Sequence, residues 1–301
     1  MPELPEAETI ARGLRPLLEG RTFEGVEVIH PDLLRQSPEA FAAALVGRRI
    51  HAVGRRGKNV VLHLVQWHER VTGSEPSPPA AGEESTTAGA LVVHLGMTGR
   101  LDPDPGPSPG HLGVRFLLDG AILAYRDVRR FGELIHREPA EYLRWSSELG
   151  PEPLAPRFTA RWLEAALTRS RSPVRSWLLD QRRIAGIGNI YALEALHRAR
   201  IHPARPGRSL APKEVRRLHR GLRAVLREAI HGGGTTIRDY RAADGSTGGH
   251  ARALRVYGRE GLPCPRCRMA VERAVFGNRS AFFCPRCQPP AARPLGEAAA
   301  G

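Results

Sequence analysis

All four cysteines of the chain fall in two pairs, Cys264-Pro-Arg-Cys267 and Cys284-Pro-Arg-Cys287, with sixteen residues between them. Few folds accept that spacing. A two-residue gap lets both thiolates of one knuckle reach one metal, and a returning hairpin brings the second knuckle opposite to complete a tetrahedron, the zinc-ribbon pattern. Two disulfides or a redox pair would use the same residues, but a cytosolic chain with no βαβ context argues against both. One structural Zn²⁺ per chain is therefore expected on Cys264, Cys267, Cys284 and Cys287. Arg266, Arg268, Arg273, Arg279 and Arg286 also make the ribbon a natural nucleic-acid contact. A ribbon alone says nothing about chemistry.

The rest of the 301 residues is long enough for roughly two domains. No run approaches the ~18 apolar residues that span a bilayer. The start, Met1-Pro2-Glu3-Leu4-Pro5-Glu6, lacks the basic and apolar stretches of a signal peptide. A soluble, cytosolic protein with no membrane partner is expected. Charge is uneven: residues 1–150 carry 17 basic and 20 acidic side chains, residues 151–301 carry 28 and 11. A basic half joined to a near-neutral half points to a polyanion-binding region beside a body with another task. Of the 45 basic residues 43 are Arg, so Lys58 and Lys213 each invite a reason why an amine is wanted.

Apolar positions Ile10, Leu14 and Leu17 predict a helix over 6–18, with Glu6 and Glu8 in its first turn, where acids suit the helix dipole. Segments 26–29, 50–53, 59–65, 90–95, 114–118 and 121–125 read as strands, and Asp119-Gly120 is a hairpin signal. This half reads as a β-sandwich or barrel. Residues 71–89, rich in Ser, Pro, Glu, Gly and Thr, are expected to be a disordered insertion. Paired prolines make 149–156 a linker. Beyond it, 160–167, 174–179, 190–198 and 213–230 read as helices, the last with Arg216, Arg217, Arg220 and Arg223 on or near one side. Residues 232–255 are Gly-rich and polar, and the tail from 289 to 301 is expected to fray. Gly186 and Gly188 sit in a turn between short helices that can aim backbone N–H groups at a phosphate, a weak signal because such glycines also serve packing alone.

Several motifs, taken together and in this order, resemble the formamidopyrimidine-DNA glycosylase family. They are Pro2-Glu3-Leu4-Pro5-Glu6, Gly57-Lys58, His94-Leu-Gly-Met97-Thr-Gly99, Asp127-Val-Arg129-Arg130-Phe131-Gly132, Gly186-Ile-Gly188-Asn189-Ile-Tyr191, Gly234-Thr-Thr-Ile-Arg-Asp239 and the cysteine ribbon. The resemblance runs from Pro2 to Cys287. It implies an α+β, multi-domain fold: an N-terminal β-sandwich with an N-terminal helix (1–148), a helix-two-turn-helix domain with a lesion-capping loop (157–258) and a zinc finger (259–288). It also implies DNA held in the cleft between the domains, and a bifunctional enzyme that removes oxidised purines and then cleaves the strand.

Under that resemblance each motif acquires a role. With Met1 removed, Pro2 presents a secondary amine able to attack C1′ and form an iminium. An α-amino group titrates near ~8, against ~10.4 for Lys, so more of it is free at neutral pH. Glu3 suits proton transfer, and Glu6 supports the site through the helix start. Lys58 and Arg279 correspond to phosphate-gripping residues around the lesion, and Asn189 to a phosphate contact from the helix-two-turn-helix. His94 belongs to the DNA-contacting motif. Extruding a base leaves a void, and Met97, Arg130 and Phe131 match the wedge that fills it, Arg130 meeting the orphaned base.

Two positions depart from the family pattern: Val128 replaces a usual proline, and Arg175 an expected lysine. Neither touches the amine chemistry. A non-catalytic zinc-ribbon DNA-binding or damage-sensing protein would share the basic half but need neither Pro2, Glu3 nor Met97. The sister endonuclease VIII branch prefers oxidised pyrimidines, and Leu4 with Met97, Arg130 and Phe131 fits the purine branch better. Double-stranded DNA carrying oxidised purines is the expected partner of a monomeric, cytoplasmic, nucleoid-associated bacterial enzyme.

Overall fold

The computed structural model describes residues 2–66, 87–103, 110–235, 249–276 and 278–290. The chain divides into two compact units, 1–148 with 232–249, and 149–231 with 250–301. The expected 157–258 region is thus split, because residues 232–249 group with the N-terminal unit.

In the first unit, helix α1 (Leu4–Leu18) starts two residues before the predicted Glu6. Pro5 fits its first turn, where the missing N–H would be unpaired in any case. Ala7, Ile10, Ala11, Leu14 and Leu18 form its buried stripe. The strands are β1 (Phe23–Val28), β2 (Arg48–Arg56), β3 (Asn59–Gln66), β4 (Thr87–His94), β5 (Arg100–Pro103), β6 (Leu112–Leu118), β7 (Ala121–Arg126) and β8 (Glu133–Arg137). They make two four-stranded antiparallel sheets, ordered β1-β6-β7-β5 and β2-β3-β4-β8. Phe116 centres the core, meeting the rings of Phe23 at 5.7 Å and Phe41 at 6.3 Å. Gly120, with φ +69°, makes the β6–β7 turn, where Leu118 pairs Ala121. Sequence reading missed β5 and β8, together with helices α2 (Pro38–Leu45) and α3 (Pro139–Glu148). The reasons are local: β5 has four residues, and α3 buries none, so it carries no apolar period.

The insertion expected over 71–89 is corrected at its end. Thr87, Ala88 and Gly89 belong to β4, and Ala88 is buried in the core. Positions 71–86 of that expected insertion lie outside the described residues, as do 291–301 of the expected tail.

The second unit holds α4 (Ala160–Thr168), α5 (Val174–Leu179), α6 (Asn189–Ala199) and α7 (Pro212–His231), then the hairpin β9 (Glu272–Phe276) and β10 (Arg279–Phe283). The stretch read as a linker is packed at its start: Gly150 N–H donates to Gln181 O (2.9 Å), and Ala185 N–H to Pro151 O (3.2 Å). Val256, Val271, Ala281 and Leu193 close a small core around Cys264 and Cys284.

Candidate functional site

Pro2 and Glu3 are buried at the head of α1, Glu3 standing at its N-cap in extended conformation. Glu6, three residues on, accepts the Glu3 N–H at 2.8 Å, one arm of a capping box. Its other carboxylate oxygen accepts the Thr235 N–H at 2.7 Å. Gly234 sits so close to Glu6 that an added Cβ would lie 3.2 Å from its carboxylate, and its φ of +84° suits glycine alone. One buried carboxylate therefore fixes both the N-terminus and residues 234–235. Positions 236–248 of the expected capping loop lie outside the described residues.

Lys58 occupies the two-residue β2–β3 turn after Gly57 (φ +61°), where Arg56 pairs Asn59. Its side chain is buried, unusual for an amine in a hairpin tip. Cross-strand register then aligns Asn59, His94 and Glu133 in one row. His94 Nδ1 lies 3.0 Å from Asn59 Oδ1. Burial, joined by the Lys58 ammonium, holds the His94 imidazole below its ordinary pKa against the pull of Glu133. The ring is thus kept neutral, and the Asn59 carbonyl is suited to accept an Nδ1–H.

Met97 lies in the β4–β5 turn, while Arg130 and Phe131 lie in the β7–β8 loop. All three are exposed, Met97 at 42% and Phe131 at 58%. The two loops touch: a Cβ on Gly96 would sit 2.5 Å from the Phe131 carbonyl carbon. Arg129 bridges them, its Nη1 3.1 Å from Met97 Sδ and its guanidinium 4.6 Å from the Phe131 ring centre. Arg130 takes a left-handed φ of +52° and faces Asp32 at 3.4 Å. Asp127 is the buried anchor of the loop, accepting from Gly132 N (2.7 Å), Arg129 N (3.2 Å), the Tyr125 hydroxyl (3.4 Å) and the Thr98 hydroxyl. Burial, reinforced by Asp127, pushes the Tyr125 hydroxyl pKa strongly upward, so it stays a donor. Arg129 and Asp127 were visible in the motif, yet nothing in the sequence assigned them these contacts.

In the second unit, Gly188 caps α6 and Asn189 is its first residue. Gln181 braces the preceding turn, donating to Ile187 O (2.8 Å) and accepting from Gly186 N (2.8 Å). The Asn189 side chain donates to Ser280 O at 2.9 Å, tying α6 to the strand that begins with the exposed Arg279. Buried Arg175 grips Asn189 Oδ1 through Nε (3.0 Å) and Nη2 (2.8 Å) and also donates to the Phe276 and Ser280 carbonyls. Glu194, unmarked in the sequence, accepts the consecutive N–H groups of Arg255, Val256 and Tyr257 at 2.9–3.1 Å. It pins the entry to the finger.

The sulfur atoms of Cys264, Cys267, Cys284 and Cys287 lie within 4.8 Å of one another. Two cross pairs stand at 4.0 and 3.4 Å, bracketing the ~3.8 Å edge of a tetrahedron built on ~2.3 Å Zn–S bonds. The donor set and its spacing fit one structural zinc ion. His197 Nε2 lies 3.3 Å from Cys264 Sγ, a further contact that orients a ligand.

Residues 1–134 match the formamidopyrimidine-DNA glycosylase N-terminal domain, 149–241 the H2TH domain of the same enzymes, and 261–290 the zinc finger found in FPG and IleRS. The chain belongs to the formamidopyrimidine-DNA glycosylase family. The formamidopyrimidine-DNA glycosylase of Thermus thermophilus is 45% identical over 294 residues, covering 96% of this chain and 98% of that one. That of Chloroflexus aurantiacus is 42% identical over 293 residues, again 96% and 98%. Among solved structures, the MutM (Fpg) protein of Thermus thermophilus aligns with a TM-score of 0.80 at 43% identity, covering 95% of this chain and 98% of that chain. A complex of Lactococcus lactis Fpg with abasic-site DNA aligns at 0.82 and 30% identity, covering 96% and 100%. As a member of this family, the protein is a base-excision-repair DNA glycosylase acting on oxidised purines, and lyase activity is a property of the family. No helix among the described residues is long and apolar enough to cross a membrane.

Proposed function

We propose that the Pro2 nitrogen, freed by removal of Met1, is the nucleophile for both activities. Its lone pair attacks C1′ of the damaged nucleotide, the glycosidic bond breaks, and the oxidised base leaves with a proton. The C1′–O4′ bond of the resulting aminal then opens, O4′ taking a proton from Glu3, and the iminium so formed acidifies the C2′ proton. Loss of that proton expels the 3′ phosphate, and a second elimination expels the 5′ phosphate, the β,δ course. Glu3, beside the amine, moves protons at the sugar and at the nitrogen. The observation that carries this reading is the Glu6 carboxylate, which fixes the backbone one residue past Pro2 and so presets where the amine points.

Around that nucleophile, Lys58 and His94 contact the lesion strand, and Asn189 and Arg279 grip phosphates. Met97 fills the space of the extruded nucleotide, Phe131 inserts between base pairs, and Arg130 donates to the orphaned cytosine. The Lactococcus lactis complexes with abasic-site and Fapy-dG DNA support double-stranded DNA containing oxidised purines as partner. The protein works as a cytoplasmic, nucleoid-associated monomer. Borohydride reduction on a duplex with one 8-oxoguanine is the test: the adduct should map by mass spectrometry to the peptide beginning at Pro2. An adduct on Lys58, or none from protein that excises the base, refutes the assignment.

A further inference from the structure

Helix α7 buries Val215, Leu218, Leu222, Val225, Leu226 and Ala229. It packs them against α6 and α4. Its opposite side carries Lys213, Arg216, Arg220 and Arg227, all exposed. At 1.5 Å per residue these cations run along ~21 Å of a rigid rod.

A cationic stripe is ordinarily offset by carboxylates on its own helix, placed three or four residues away. Here that offset is missing. The helix has two acids, Glu214 and Glu228, both held by arginines of other segments, and the one cation of α7 near either is Arg217, 3.7 Å from Glu214 and outside the stripe. Arg205 grips Glu214 through both guanidinium nitrogens at 2.6 and 2.9 Å, and Arg198 grips Glu228 at 2.7 and 2.8 Å. Arg217 and Arg223 are also engaged, donating to Ala199 O and to Pro153 and Ala155 O. Among the described residues, Lys213, Arg216, Arg220 and Arg227 make no hydrogen bond or ion pair. Three of them, with Ala160, Arg217 and His219, line a shallow groove of about 400 Å³.

We propose that this face of α7 is a second, lesion-independent contact for the phosphate backbone of duplex DNA, separate from the Asn189 and Arg279 set. The chemistry favours a regular polyanion over the alternatives. A protein partner would call for aromatic or large apolar anchors amid the charge, and a membrane surface for an apolar flank. The exposed stripe offers neither, since the position between Arg220 and Arg227 that shares the face is Ala224. A straight row of flexible cations with no base-reading geometry suits phosphates of any sequence. Its consequence is a hold on undamaged DNA that does not depend on an extruded base.

The test is binding of the full-length, zinc-loaded protein to a long undamaged duplex across a salt series. The variant Lys213→Gln/Arg216→Gln/Arg220→Gln/Arg227→Gln removes the charge, and Arg216→Lys/Arg220→Lys/Arg227→Lys keeps it. Each phosphate contact contributes about 0.9 to the log–log salt slope, so the glutamine variant, which removes four cations, should lose about 3.6 from it, while the lysine variant keeps the parent slope. Zinc content and circular dichroism report whether the variants are folded. A folded glutamine variant with an unchanged slope overturns the proposal, as does a lysine variant that loses binding equally. Weakened capture of polyglutamate with an unchanged DNA slope would assign the stripe to acidic proteins and overturn it too.

Discussion

Glu6 accepts the backbone N–H of Thr235 at 2.7 Å, joining the first turn of α1 to a residue 229 positions away. The same carboxylate holds the Glu3 N–H, so the backbone next to Pro2 and that of Thr235 share one acceptor. Glu6→Gln keeps the size of the side chain but turns one oxygen into a donor facing an N–H. A hydrogen bond to a charged group is worth ~1.5–3 kcal/mol, so about ten- to a hundredfold should be lost from kcat. KM should move little. Single-turnover excision measures this, and a lower Tm with an unchanged kcat would reduce the contact to a stability role.

Asp127 does for the β7–β8 loop what Glu6 does for the N-terminus. Its four donors place Arg130 and Phe131 against the Met97 turn. Asp127→Asn leaves one of those donors facing an amide NH₂, a cost on the order of 2 kcal/mol in stability. A 2-aminopurine placed beside the lesion brightens when the nucleotide is extruded. The variant should show a slower and smaller rise, and a full-amplitude rise at parental rate would separate Asp127 from extrusion.

What sequence alone made legible was what is local. The cysteine spacing, the Asp119-Gly120 turn and α5 needed no knowledge of distant segments, and each is found where the residues placed it. Ordering of the collinear motifs likewise named the family. The contacts that hold the motifs in position were not legible, because their partners are remote or are backbone atoms. Glu194 reads as an ordinary helical acid until three N–H groups from 255–257 are folded onto it. Arg175 read as a departure from pattern, yet its guanidinium joins three carbonyl-type acceptors from two segments. Helix α3 had no buried face to announce it.

Zinc removal should be local in effect. The finger's small core, Val256, Val271 and Ala281, closes around the cysteines and has little else to hold it. Chelation or Cys264→Ser should therefore release Arg279 and the β9–β10 hairpin, abolishing DNA binding and excision together. The first unit has its own core of Phe23, Phe41, Phe116 and their neighbours, and should keep its near-ultraviolet signal. Metal analysis should return near one zinc per chain. Full activity from zinc-free protein would contradict this account.

Acid should weaken the first unit through His94. Its folded pKa is depressed by burial and by Lys58, so at pH above the ordinary 6.5 both folded and unfolded states are neutral there and stability is intact. As pH falls below 6.5 the unfolded chain takes up the proton first, and stability is lost progressively toward the lower folded value. His63, depressed by burial and by His51, adds in the same direction. Thermal melts from pH 7.5 down to 5 should show Tm falling, and His94→Gln should flatten part of that slope. An identical slope in the variant would place the titration elsewhere.

Arg175 and Asn189 form one unit, so their variants should not add. Two guanidinium bonds to Oδ1 fix which way the Asn189 amide points, leaving Nδ2 as its outward donor, now spent on Ser280 O. Arg175→Lys keeps the charge but lacks the planar fork, and cannot make both bonds in that geometry. It should weaken DNA binding while kcat at saturating substrate stays near parental. Arg175→Met should weaken binding further, because the amide is then free to turn. Since Asn189→Ala removes the group Arg175 orients, adding Arg175→Met to it should cost little more, giving a coupling of ~1–3 kcal/mol in a double-mutant cycle on binding. Zinc content across all four proteins checks that the finger is intact. Additive losses would mean that Arg175 acts on the hairpin carbonyls of Phe276 and Ser280 alone, and that Asn189 needs no orienting partner.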